Sequence, residues 1–308
     1  MEITVIIPVY NKVEYLDKCF ESTLAQDFDS FEVVAVDDGS TDGSGDICDR
    51  WAERDRRLRV YHVANGGVTA ARRCGVEHAE GRYIVFLDAD DQLTDHALQT
   101  LHAAIERSGA DEVIGRFVTQ HGHVSPLLFQ GDQRDLKPMV KAIVANKNRF
   151  PILWGLICRR ELVADCLDTP RHIIEGEDLL MQLKMLMKHP RVHFITDCVY
   201  RYSIGVPNSR RRTLDLEKAY DAQLRQVLQG EWQEYQTDYV LRQIKQYERF
   251  LLNGDFDVRD SYYAQSVPSP LPAGVPLVHR LFWMLPPRLS VVGIRVYQYL
   301  LKTFKTGI

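Results

Sequence analysis

Three aspartates, Asp88, Asp90 and Asp91, come directly after the apolar run 83–87 in YIVFLDADDQLTDHAL. Crowded carboxylates repel and raise one another's pKa, so such a cluster calls for compensation. A divalent cation is the usual compensator, and Mg²⁺ or Mn²⁺ prefers oxygen ligands. Aspartates also close turns and cap helices, and a D-x-D-D after a strand admits either reading when taken alone. Other chemistry-bearing residues are Asp37 and Asp38 in VDDGSTDGS, Arg72 in NGGVTAARRCG, and Glu177 and Asp178 in GED.

The elements around these residues alternate. ITVIIPVY reads as a strand and precedes helical spacing through Val13, Leu16, Phe20 and Leu24. FEVVAVDD precedes a helix marked by Ile47 and Trp51, and LRVYHV precedes the helix VTAARRCGVEHA. The run at 83–87 is a fourth strand, with Thr94 expected to cap the helix after it. Nearly continuous apolar strands in βαβαβα order imply a mostly parallel sheet with helices on both faces. Ligands of such sheets bind beyond the carboxyl ends of the strands. Pro8–Asn11, Asp37–Ser40, Asn65–Gly67 and Asp88–Asp91 all fall at those ends, which would gather them on one edge.

Composition narrows the class further. The chain has 308 residues, 45% hydrophobic, and a net charge of −4, which offers no global field for nucleic acid. Six scattered cysteines form no C-x-x-C pair, a pattern suited to burial in a reducing cytoplasm. MEITVIIPVYNK has neither the basic start nor the apolar length of a signal peptide, and no run of eighteen apolar residues predicts a membrane span. The first strand–helix turn, PVYNKVEYL, has no glycine for a pyrophosphate and no P-loop signature, which excludes dinucleotide dehydrogenases and P-loop enzymes.

VIIPVYN (5–11), VDDGSTDGS (36–44), NGGVTAARRCG (65–75), FLDADD (86–91) and GED (176–178) stand in one order over about two-thirds of the chain. Together they resemble the family 2 glycosyltransferases of the GT-A fold. The resemblance implies an α/β fold with a Rossmann-like mixed, mostly parallel sheet flanked by helices. It also implies transfer of a sugar from a nucleotide-sugar to an acceptor hydroxyl with inversion, in polysaccharide or glycolipid assembly. Pro8, Tyr10 and Asp38 match the family's nucleoside pocket, and an Asp38 carboxylate accepting a uracil N–H favours a UDP-sugar. Arg72 matches the arginine near the diphosphate or ribose. Asp88 matches the residue that contacts ribose or sugar, Asp90 the ligand of Mn²⁺ or Mg²⁺, and Asp178 the catalytic base. Asp91 is expected only to orient an acceptor or cap the next segment. Trp154 matches a tryptophan of the acceptor region, while Arg73 stands where the family often has asparagine.

Two alternatives share much of this pattern. A sugar-phosphate nucleotidyltransferase should carry a glycine-rich basic loop after the first strand, which PVYNKVEYL lacks. A catalytically inactive sugar-nucleotide binder would lose the acids that Asp90 and Asp178 retain. Residues 1–212 are expected to form the catalytic domain, 1–110 as its nucleotide-sugar half and 111–212 as its acceptor half. In the latter, 110–119 and HVSPLLFQ read as strands, and Arg210–Arg212 either close over phosphate or form a solvated run. Residues 213–308 are expected to be a mostly helical extension. Its tail carries Arg280, Arg288, Arg295, Lys302 and Lys305 and no acid. From Leu289 its apolar positions fit one helical face. Such a tail suits either a peripheral contact at the inner face of the cell membrane, near a lipid-linked saccharide acceptor, or packing on the catalytic domain.

Overall fold

The computed structural model describes residues 1–146, 152–205 and 213–305. Arg210–Arg212 lie outside the described residues. Strands β1 (Ile3–Val9), β2 (Phe31–Asp37), β3 (Leu58–His62) and β4 (Tyr83–Phe86) are parallel, in the order β3-β2-β1-β4. The helices between them are α1 (Leu16–Leu24), α2 (Ser44–Arg54) and α3 (Val68–Glu77). Every residue of β1 and β2 is buried, as expected of strands covered on both faces. Val5, Ile7, Phe20, Phe31, Val33 and Val85 form part of one core, where burying each such side chain is worth roughly 1.5–3 kcal/mol. α3 lies close on β1 because Gly75 faces Ile6, which any Cβ there would overlap.

The sheet continues as a mixed one. β5 (Gln92–Leu93), α4 (Ala97–Ser108), β6 (Glu112–Thr119), β7 (Gly131–Gln133) and α5 (Lys137–Val144) come next in the chain. After them are β8 (Leu156–Arg159), α6 (Arg160–Val163), α7 (Glu177–Leu186) and β9 (Val192–Tyr202). β8 joins β4 and β6 antiparallel, while β6 pairs with β9 in parallel. The end of β9 therefore points to the same edge as the ends of β1 to β4. α8 (Leu214–Val227), α9 (Trp232–Leu252), the short α10 (Ala264–Ser266), α11 (Leu277–Met284) and α12 (Pro287–Lys305) complete the chain.

Two local expectations are corrected. HVSPLLFQ is not a strand: only Val124 forms a bridge, to Val118, and Pro126 then removes a donor that a ladder would need. Thr94 is not the cap of α4. Its hydroxyl donates to the Cys198 carbonyl at 2.7 Å, and the helix starts after His96, which sits in the left-handed region.

The chain divides into two compact units, Met1–Leu136 with Arg149–Val227, and Lys137–Asn148 with Leu228–Ile308. α8 thus counts with the sheet and α5 with the helical unit, where it packs on α9. The division in space falls after Val227, whereas the sequence suggests one at 212.

Candidate active site

The loop after β1 is stitched to the loop after β2. Asn11 Oδ1 accepts from the Thr41 backbone N–H, Ser40 Oγ from that of Asn11, and Ser44 Oγ from that of Lys12. Asp37 and Asp38 divide their work. Asp37 accepts from the Ser40 N–H at 3.0 Å and meets His62 Nδ1 at 2.9 Å, so it serves the turn. Asp38 is buried and accepts from the Gly66 and Gly67 N–H groups at 2.6 and 2.8 Å and from Asn65 Nδ2 at 3.2 Å. Gly67, at φ +90°, supplies the backbone turn that aims its N–H there. A carboxylate has about four acceptor directions, so Asp38 keeps one for a ligand.

Arg72 projects from α3 into the centre, with a side chain only 4% exposed. Its Nη2 donates to Asp88 Oδ1 at 2.9 Å, and its Nη1 lies 3.7 Å from Glu177 Oε1. Nε and Nη1 have no hydrogen-bond partner although both are buried. Burial works against its charge, but Asp88, Glu177 and Asp178 outweigh that and hold its pKa above the ordinary value. An unsatisfied buried guanidinium is costly, and it fits planar anionic oxygens.

The acids of the opening cluster take three different partners. Asp88 holds Arg72, and Asp90 Oδ2 accepts from Lys12 Nζ at 2.6 Å. Asp91 is buried, accepting from the Tyr200 hydroxyl at 2.8 Å and the Ser203 N–H at 2.6 Å. Burial is the main cause that pushes its carboxyl up to about 7, and the charge of Asp88 adds to it. Asp91 is thus an anchor for the end of β9, a larger role than the sequence suggests. Tyr200 also accepts from the Asp88 N–H, which ties the aspartate loop to the same strand.

These groups line a cavity of about 450 Å³ at the carboxyl edge of the sheet. Pro8, Tyr10, Asp38, Arg72, Asp88 and Asp90 all reach it. Asp178 does not line it; Glu177 does. α7 begins at Glu177, after Gly176 in the left-handed region, and neighbours on a helix point about 100° apart. Asp178 stays close enough for Arg72 and Asp88 to act on its carboxylate, while Oδ1 accepts from the Leu179 N–H. Burial raises the pKa of both Glu177 and Asp178, and Arg72 pulls both back.

Lys12, Arg171 and Tyr202 also line the cavity without any sequence motif having singled them out, and Glu177 lines it in place of its neighbour Asp178. The i, i+2 spacing of Tyr200 and Tyr202 on β9 was a usable signal, since it puts both rings on one face. Trp154 stacks on Tyr202 with centroids 5.2 Å apart and lies 5.0 Å from Tyr200; of the three, only Tyr202 lines the cavity. Arg73, one residue from Arg72, faces a different cavity.

The donor set suits a hard cation. Asp90 offers carboxylate oxygen at the open cavity, and Mg²⁺-type ions commonly take one or two carboxylates plus phosphate oxygens. Lys12 would have to swing aside. Among the described residues the one compact trio of ligand atoms is Glu2, His102 and Glu106, near the start of β1 and away from this edge.

The family model described as Glycosyl transferase family 2 matches residues 4–166. Glycosyltransferase GlyG of Streptococcus pneumoniae serotype 4 is 31% identical over 229 residues, which cover 71% of this chain and 76% of that protein. S. aureus TarS 1-349, solved in complex with UDP-GlcNAc, matches with a TM-score of 0.75 at 21% identity, over 100% of this chain and 92% of that one. The mannosyltransferase PcManGT of Pyrobaculum calidifontis, in complex with GDP-Man and Mn²⁺, matches at 0.51 and 18% identity, over 96% and 73%. At such identities the two structures speak to the fold, a GT-A-type α/β sheet with a helical C-terminal region. The chain belongs to glycosyl transferase family 2, and it is a glycosyltransferase.

Proposed function

We propose that the enzyme moves a sugar from a UDP-sugar to the hydroxyl of a saccharide or lipid-linked saccharide, with inversion and with Mn²⁺ or Mg²⁺. The observation that carries this is Arg72, buried, with two nitrogens that make no hydrogen bond at the wall of a cavity rimmed by acids. Tyr10 is partly exposed at that wall and offers a ring face for a base, with Pro8 beside it. The remaining acceptor direction of Asp38 suits a uracil N–H. Arg72 binds diphosphate oxygens, and Asp88, held by Arg72, is oriented towards ribose or sugar hydroxyls. Asp90 would hold the cation. A bound cation there would stabilise the negative charge of the departing diphosphate.

Asp178 is assigned as the base that takes the acceptor's proton. Its raised pKa brings it nearer to the value at which a carboxylate both exists and accepts a proton effectively. Glu177 is assigned to balance Arg72. Tyr202, backed by the stacked Trp154, brings an aromatic ring to the cavity, the kind of side chain against which a sugar acceptor can lie.

The reaction is placed in the cytoplasm, at the inner membrane face where lipid-linked acceptors are presented. The six free cysteines support a reducing compartment. No helix among the described residues is long and apolar enough to cross a membrane. The test is a panel of UDP- and GDP-sugars with Mn²⁺ or Mg²⁺, reading released nucleotide. UDP release from one UDP-sugar is expected, abolished by chelator and by Asp90→Asn. Full turnover in excess EDTA would remove the metal from the proposal.

A further inference from the structure

The helical C-terminal unit leaves an apolar surface uncovered. α12 packs against α9 and α11, but it does so with a narrow face. Ser290 and Ile294 are buried there; the Ser290 hydroxyl donates to the Phe282 carbonyl at 2.7 Å, and Gly293 lies against the Phe282 ring. The face with the larger apolar side chains points the other way. Leu289, Val292, Val296, Tyr299 and Leu300 are all exposed, Val292 at 60% and Tyr299 at 70%. At 100° per residue these five fall within one stripe, and Arg288 and Arg295 flank it along the same edge. Lys302 and Lys305 lie in the last turns.

α11 repeats the arrangement. Phe282 and Trp283 are buried, while Leu277, Leu281 and Met284, at i, i+4 and i+7, are exposed, Leu277 at 82%. Each helix thus spends one face on packing and presents a second, apolar face to solvent. Exposed apolar residues scattered singly need no explanation, but two ordered stripes do.

We infer that α11 and α12 bind the surface of an anionic phospholipid bilayer, lying in the interface without crossing it. Charge selects this occupant. Residues 261–308 carry five lysines and arginines and no acid, in a chain whose net charge is −4. A second copy docked face to face would bring two cationic rims together, whereas anionic headgroups complement them. Arginines flanking an apolar stripe can extend to headgroups while the stripe enters the acyl boundary, and Tyr299 suits that boundary as an amphipathic ring. The inference rests on the helical unit alone and stands or falls apart from the catalytic reading.

The full-length protein is tested by co-sedimentation with phosphatidylcholine vesicles, with and without phosphatidylglycerol, at low and high salt. The wild type should sediment with the anionic vesicles, and high salt should release much of it. Val292→Glu with Val296→Glu should weaken binding by at least about tenfold while circular dichroism stays unchanged. Arg288→Glu with Arg295→Glu should remove the preference for anionic lipid. Failure of the wild type to bind anionic vesicles would overturn the inference. So would equal binding by the Val292/Val296 variant. A wild-type dimer that ignores vesicles and becomes monomeric on the same substitutions would assign the face to a second copy instead.

Discussion

The candidate active site and a second cavity of the sheet-bearing unit are both rich in charged residues. The second, about 590 Å³, is lined by Arg73, Arg82, Arg159 and Arg160 with Glu77, Glu80 and Glu161. By residue type it looks at least as chemical as the cavity of about 450 Å³ around Arg72. The difference is what its charges already do. Arg82 pairs with Glu106, Arg159 with Asp111, and Arg160 donates to the Ala79 carbonyl. These guanidiniums hold the starts of β4, α6 and their neighbours in place, while Arg73 is exposed to water. Arg72 is buried with Nε and Nη1 making no hydrogen bond, although Nη1 lies within ion-pair distance of Glu177, beside acids at the open edge of the sheet. Neither cavity size nor arginine count identifies a site. Here it is a buried guanidinium with hydrogen-bonding capacity left over at the wall of an open cavity, on the edge where the strands end, that sets one cavity apart.

The largest effect should come from the acid behind the cavity wall. Asp178→Asn should lower turnover by ~10²–10⁴ while UDP affinity, measured calorimetrically, stays near the wild-type value. Glu177→Gln should act mainly on donor affinity, because its carboxylate balances Arg72. If Glu177→Gln instead abolishes turnover and keeps the affinity, the base is Glu177.

The two adjacent arginines give the next contrast. Arg72→Lys keeps the charge but loses the planar fork, and should cost about 10²–10³ in kcat/KM with weaker UDP binding. Arg73→Ala should change kcat/KM by no more than about twofold, as surface substitutions usually do. Equal losses at both positions would erase the distinction between the cavities.

A smaller effect separates a charge held in reserve from one fully committed. Lys12 occupies Asp90, so Lys12→Ala should tighten Mn²⁺ binding about two- to fivefold, the range expected for a partly exposed ion pair. Electron paramagnetic resonance of free Mn²⁺ reads this without catalysis, and unchanged or weaker binding would count against Asp90 as the ligand.

The smallest concerns His62, between Asp37 and Asp49. Its hydrogen bonds to those carboxylates raise its pKa in the folded protein, against a small opposing effect of burial. The charged ring is therefore favoured by folding. Its contribution is complete below the unfolded value of about 6.5 and fades as pH rises through the higher folded value. The melting temperature should fall more steeply from about pH 6 to 8 in the wild type than in His62→Gln. Parallel curves would show that this pair adds nothing to stability.

The sequence by itself determined the parallel half of the sheet and the edge on which the chemistry gathers. Strands such as ITVIIPV and FEVVAVD are apolar on both faces, so they have one stable environment, and their polar carboxyl ends must converge. It also carried the family motifs; that Pro8, Tyr10, Asp38, Arg72, Asp88 and Asp90 line one cavity is seen in the structure. It did not reveal that Glu177 rather than Asp178 faces that cavity, because a difference of about 100° on a helix depends on how the helix packs. Nor did it reveal that Asp91 anchors Tyr200, that Lys12 sits on Asp90, or that Arg73 belongs elsewhere. Those pairings span 78 residues from Lys12 to Asp90 and 109 from Asp91 to Tyr200, and no local pattern encodes them. The tail shows the same limit. Periodicity identified an apolar face on α12, but only tertiary packing decided that a second, narrower face is the one that meets the protein.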